Sequence, residues 1–183
     1  MATKTLLTIE QYAALDEPVG VRYELSQGEL IVTPSADFFH NDIRDELNAR
    51  LRAFLNLHQC GNVISEMDMA LAEDVVRRPD VAFIRKGRLD SIELDRVPLP
   101  IAPDIAIEIV SKSDRADDLN LKVSQYLQAG VAAVWLLYPS TRVAYRYTQG
   151  KRDPEVRSAK AGDLFEEPEL LSGFSLPLSE ILK

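Results

Sequence analysis

Between Pro103 and Pro139 the chain carries two short, β-prone apolar runs, PDIAIEIVS (103–111) and VAAVWLLYP (131–139). The segment between them has helical spacing and is closed by Gly130. A strand, a helix from about Arg115 to Ala129, and a second, buried strand are the elements this pattern predicts. Neither apolar run is long enough to span a bilayer. One residue breaks the first run. Glu108 stands among Ile105, Ala106, Ile107, Ile109 and Val110. By alternation the three isoleucines face one side of the strand, and Ala106, Glu108 and Val110 face the other.

The rest of the chain supplies elements to surround this unit. Thr8 and Gln11 form a capping box for a short helix reaching about Leu15. RYELSQGELIVTP has the pattern of a hairpin turning at Ser-Gln-Gly. Residues 38–58 form a long helix with Ile43, Leu47, Leu51, Phe54 and Leu55 on one face, expected to end at Gly61. NVISEMDMALA and RPDVAFI are each expected as one strand, with Pro79 at a strand start or edge. KGRLDSIELDRVPLP is expected as a short helical turn and a loop, RVAYRYTQGK as a strand, and LSEILK as a last turn. The order predicts an α/β or α+β domain spanning 1–183, with a mixed sheet flanked by helices. Regular βαβ alternation and a Gly-rich phosphate loop are both missing.

An ionised carboxylate between apolar neighbours costs several kcal/mol unless a cation pairs with it. A metal ion or an ammonium group would stabilise Glu108; exposure on an open sheet face is the alternative. Asp80, in PDVAFI, shares a face with Ala82 and Ile84. Alone it reads as an aspartate bonded to a nearby turn; with Glu108 on an adjacent strand it forms a site for a hard cation. Lys122 falls roughly 60° from Leu119 around the helix, at the edge of the arc of Leu119, Val123, Tyr126 and Leu127. It either reaches the preceding strand or snorkels to water. Two carboxylates holding Mg2+ or Mn2+, with a lysine that neutralises charge and positions water, suit phosphodiester hydrolysis. The sequence contains no serine–histidine–acid constellation of known spacing and no Cys/His zinc cluster.

These residues resemble the PD-(D/E)XK nuclease superfamily, and within it the Uma-two family. The likeness covers nearly the whole chain. It rests on RYELSQGELIVTPS (22–35), RRPDVAFI (77–84), PDIAIEIVSKSD (103–114), KVSQYLQAGVAAVWLLYP (122–139) and the late GFSLPLSEI. The resemblance implies a restriction-endonuclease-like fold and a metal-dependent endonuclease acting on DNA as a homodimer. It makes Asp80 and Glu108 the metal-binding acids. Val110 stands where the motif lysine usually sits, two residues after the glutamate, so the resemblance moves that role to Lys122 on the next helix. Lys112 is the competitor. Glu24 resembles a further acid of the family site, with an exposed hairpin residue as its alternative; Glu29 is a weaker candidate. His40 and Tyr126 are expected substrate contacts. A packed structural histidine is the alternative for His40; Gln125 with Tyr126 has the alternative role of orienting the lysine, and core packing explains Tyr126 equally well.

Charge argues in the other direction. The net charge is −8, whereas a phosphate-gripping surface is usually basic. Residues 77–88 and 142–160 are locally rich in Arg and Lys, so basic stripes are possible. A non-catalytic nucleic-acid or protein interaction module on a nuclease scaffold is therefore the second reading. A nuclease for RNA, or for branched or damaged DNA, is the third. The single cysteine, Cys60, and an N-terminus without a signal-peptide core fit a cytoplasmic protein.

Overall fold

The computed structural model describes residues 6–183, so the expectations for the extreme N-terminus fall partly on residues 1–5, outside that range. In chain order the elements are α1 (Ile9–Ala13), β1 (Val21–Ser26), β2 (Glu29–Pro34), α2 (Phe38–His58), β3 (Gly61–Ser65), β4 (Met69–Ala72), β5 (Val75–Arg77), β6 (Val81–Arg85) and β7 (Ile105–Ile109). They continue with α3 (Ala116–Gln128), β8 (Ala133–Tyr138), β9 (Val143–Thr148), β10 (Glu155–Ser158), a 3-10 turn at Ala159–Ala161, β11 (Leu164–Phe165), β12 (Leu176–Pro177) and α4 (Leu178–Ile181).

Six strands form a mixed sheet in the order β10-β9-β8-β7-β6-β3. Only β7 and β8 are parallel; α3 crosses between them. All five residues of β7 are buried, which fits a central strand covered on both faces. On one face Ile105, Ile107 and Ile109 pack with Ile43, Leu47, Leu51 and Leu55 of α2. On the other, Ala106 packs with Leu119, Val123 and Tyr126 of α3. The expected mixed sheet flanked by helices is what the chain forms. A second, antiparallel sheet has the order β2-β1-β5-β4. Its β1–β2 hairpin turns at Gln27 and Gly28, both at positive φ (53° and 76°), as a two-residue primed turn requires. Among the described residues no helix is long and apolar enough to cross a membrane.

Several boundaries differ from expectation. The run 62–72 is not one strand. β3 belongs to the six-stranded sheet and β4 to the other, and the chain turns between them at Glu66, φ 53°. Similarly β5, which the sequence pattern did not single out, lies in the second sheet, and β6 begins only after Pro79 and Asp80. α2 ends not at Gly61 but at Gln59, which takes the left-handed cap conformation (φ 49°). Gly61 opens β3, where a Cβ would stand 2.4 Å from the Ile84 carbonyl and 2.5 Å from the Phe83 ring. The stretch 86–100 contains no helix; Leu89 and Leu99 pack over Ala82 and Ile84 instead.

Candidate active site

The crossing from the second sheet to the first, through Arg77-Arg78-Pro79-Asp80, brings the two sheets' acids together. Asp80 lies at the start of β6, 6% exposed. Its Oδ2 accepts from the backbone N–H of Ile109 at 2.7 Å and lies 3.1 Å from His40 Nε2. Arg22 of β1 approaches Oδ1 at 3.8 Å. Asp37 caps α2 by accepting from the His40 N–H at 2.9 Å, which fixes the first turn from which His40 reaches Asp80. Burial depresses the His40 imidazole pKa. The hydrogen bond and charge of Asp80 outweigh burial, so the net shift is upward.

Glu108 points to the α3 side of β7, as alternation requires. Tyr126 donates its hydroxyl to Oε1 at 2.6 Å, and Lys122 Nζ lies 3.1 Å from Oε2. The same ammonium lies 3.1 Å from Oε1 of Glu24. Glu24 in turn receives the Arg77 guanidinium at 2.8 Å and the Arg78 backbone N–H at 3.0 Å. Arg77, itself 4% exposed, is steadied by Gln125 Oε1 at 2.8 Å and Ser26 Oγ at 3.2 Å. Two helices and strands of both sheets therefore meet in one polar network, its Asp80–His40 part coupled by charge to the Glu108–Lys122–Glu24 part.

The charges in this network are unequally matched. Burial pushes the Glu108 carboxyl up, Lys122 pulls it down, and the neighbouring charges of Asp80 and Glu24 raise it again, to about 7. Glu24 is also buried, but Lys122 and Arg77 together hold it below the usual carboxylate range. Burial lowers the Lys122 ammonium, and its two carboxylate neighbours more than reverse that. Negative charge is thus in excess at Glu108, the condition under which a bound cation stabilises a site. Among the described residues no group of three or more His, Cys, Asp or Glu side chains gathers as a metal cage. Two carboxylates without a cage suit Mg2+, which retains several waters and needs only one or two carboxylates from the protein.

Asp80, Glu108, Lys122, Glu24, His40 and Tyr126 all fall in this network. One of these, Tyr126, and its neighbour Gln125 are placed differently from expectation. Tyr126, expected as a substrate contact, is fully buried, and its hydroxyl is taken by Glu108, so it stands behind the carboxylate. Gln125 bonds Arg77 and Ser26 rather than the lysine. His40 presents Nε2 to Asp80. Lys112 is exposed and makes no bond to Glu108. Glu29 sits at the first residue of β2, opposite Ser26. Arg77 and Arg22 were not foreseen as site residues. The signal for Arg77 was its position closing the apolar pair Val75-Val76, where a charge must find a buried partner.

Much of the charge in the two basic segments is met by acids of the chain itself. Arg78 pairs with Asp68 and Glu17, Arg85 and Arg88 with Asp104, and Arg146 with Glu155 and Glu167.

Residues 9–179 match the model of the Uma2 family, described as "Putative restriction endonuclease". The chain belongs to the Uma2 family. A solved structure from Anabaena variabilis, described as a "putative nuclease belonging to DUF820", superposes with a TM-score of 0.84 over 96% of this chain and 97% of that one, at 20% identity. That likeness shows the fold. No curated protein matches the chain. The Uma2 match runs from the first residue of α1 into α4 and so takes in every residue of the network.

Proposed function

We propose that this Uma2 protein is a divalent-metal-dependent nuclease that hydrolyses phosphodiester bonds of DNA. The observation that carries the reading is the meeting of Asp80, Glu108 and Lys122, drawn from three distant stretches of chain, in one charge-coupled network. Asp80 and Glu108 would hold Mg2+ or Mn2+. When bound, that ion supplies Lewis-acid activation of the phosphoryl group and of a water. Lys122 offers a charged Nζ to the developing negative charge and to the attacking water. Glu24 keeps that ammonium protonated and aimed. Tyr126 fixes the rotation of the Glu108 carboxylate, and His40 with the Ile109 N–H fixes that of Asp80, so the two acids are set before a cation arrives.

Cleavage of plasmid and single-stranded DNA in Mg2+ or Mn2+ tests this reading, with Asp80→Ala, Glu108→Ala and Lys122→Ala as controls. Metal-dependent cutting lost in all three variants is expected. A specific observation favours a second reading, the non-catalytic interaction module. Most arginines of the two basic segments are engaged by the chain's own acids, and the net charge is −8. DNA binding without cutting in either metal would favour that module.

A further inference from the structure

Asp80 Oδ2 is shared by His40 Nε2 and the Ile109 N–H, so the first turn of α2 and the end of β7 meet at one atom. Beside each of these points the chain carries exposed side chains. Phe38 and Phe39 immediately precede His40 and are 75% and 74% exposed. Their rings are 5.7 Å apart and nearly perpendicular. Phe39 stands one turn before Ile43, so it continues the apolar stripe of α2 past the point where the core covers it. Two adjacent, uncovered phenylalanines directly before His40 leave a large apolar area in water that a partner would cover.

On the β7 side, Lys112 and Arg115 lie three and six residues past Ile109. Both are exposed, and neither has an ion-pair partner among the described residues. They differ in this from Arg77, Arg78, Arg85 and Arg146, whose charges are met inside the protein. The chain on either side of the Asp80 contact therefore carries two exposed aromatic faces and two cations without an ion-pair partner among the described residues, the cations interleaved with the exposed Asp114, Asp117 and Asp118.

We propose that the site takes DNA as a single strand, with bases stacked on Phe38 and Phe39 and phosphates met by Lys112 and Arg115 beside Asp80. A duplex keeps its bases stacked on one another and offers a protein mainly phosphates. An unpaired strand offers base faces, and each base stacked on an aromatic ring adds about 1–3 kcal/mol whatever its sequence. A protein of net charge −8 gains its hold on DNA from bases more readily than from backbone charge. The inference rests on the nuclease reading for its choice of DNA, but its test does not.

The test is anisotropy of a labelled single strand of about 12 nucleotides and of its duplex, with Ca2+ present so that binding is read apart from cutting. The full chain is expected to bind the single strand at least about 10-fold more tightly than the duplex. Phe38→Ala with Phe39→Ala is expected to weaken single-strand binding by about 10- to 100-fold and leave duplex binding unchanged. Tyr at both positions should restore it. Phe39→Trp should lose fluorescence on binding the single strand. Equal affinity for the two forms overturns the proposal, as does undiminished binding by the double alanine variant. So does a double alanine variant whose only change, by light scattering, is loss of a dimer, because the rings then cover a second copy. Cutting in Mg2+ is scored separately. Stacking-dependent binding without any cutting overturns the nuclease reading alone. Metal-dependent cutting of both forms, indifferent to the two phenylalanines, overturns this inference alone.

Discussion

Two buried glutamates, Glu108 and Glu167, divide the molecule into a part under tension and a part at rest. Glu167, 2% exposed, receives Arg146 through Nε and Nη2, both at 2.7 Å, and the Trp135 indole N–H at 2.7 Å. One acid meets one bidentate cation and a further donor, and the contact ties the tail to the central sheet. Glu108, 6% exposed, shares its single ammonium with Glu24 and has Asp80 as a further negative neighbour. Residue type and burial are the same in both. Each shares its one cation with a second acid, Lys122 with Glu24 and Arg146 with Glu155, but Glu167 is held by two guanidinium N–H groups whereas Glu108 has a single ammonium contact and Asp80 as a further negative neighbour.

Catalysis gives the largest contrast. Lys122→Met is expected to cut metal-dependent cleavage about 10³-fold, and Glu108→Gln at least as much. Neither Glu167→Gln nor Arg146→Met should change turnover of the protein that remains folded. Steady-state cleavage at saturating Mg2+ measures this, and a Glu167→Gln loss matching that of Glu108→Gln would erase the distinction.

Stability gives the next. Removing Glu167 leaves the part-buried Arg146 with Glu155 alone and takes the acceptor from the buried Trp135 indole N–H, and Glu167→Ala is expected to cost about 1–3 kcal/mol in urea unfolding. Glu108→Gln should act in the opposite sense on the metal-free protein at pH 8, raising its melting temperature, because it removes surplus negative charge. A fall comparable to that of Glu167→Ala would mean Glu108 is a structural ion-pair partner.

A pH dependence arises from the same imbalance. The folded pKa of Glu108 is raised from the usual carboxylate value to about 7. Between about pH 4.5 and 7 the folded state therefore holds a proton that the unfolded state has released. Stability then falls as pH rises through that window, by on the order of 1–3 kcal/mol, a slope that Glu108→Gln removes. Glu24 has the opposite sign: its lowered pKa contributes stability above the ordinary carboxylate range that is lost on acidification. Metal-free melting curves across pH 4–8, wild type against Glu108→Gln, separate the two.

Much of this contrast was legible in the sequence, for a physical reason. A charge inside an apolar strand, as at Glu108, must have a partner, and helical spacing put Lys122 on the edge of the helix that faces it. The sheet with helices on both faces was implied by alternation in β7 and periodicity in α2 and α3. The sequence pattern hid what depends on which strands pair. Nothing in NVISEMDMALA marks that Glu66 adopts positive φ and sends β3 and β4 into different sheets. Arg77 and Arg78 read as a basic run because their partners, Glu24, Asp68 and Glu17, are many residues away. Spacing put Tyr126 on the apolar arc of α3, but spacing gives the face of a helix and not the partner its hydroxyl finds there.

The central claim is that Asp80 and Glu108 hold one divalent cation between them. Diffraction from Mn2+-soaked crystals at the manganese absorption edge addresses it most directly. An anomalous peak bonded to carboxylate oxygens of both residues, and lost in Glu108→Gln, is the expected result. Saturating Mn2+ with no peak there, or with a peak held by other side chains, would contradict it.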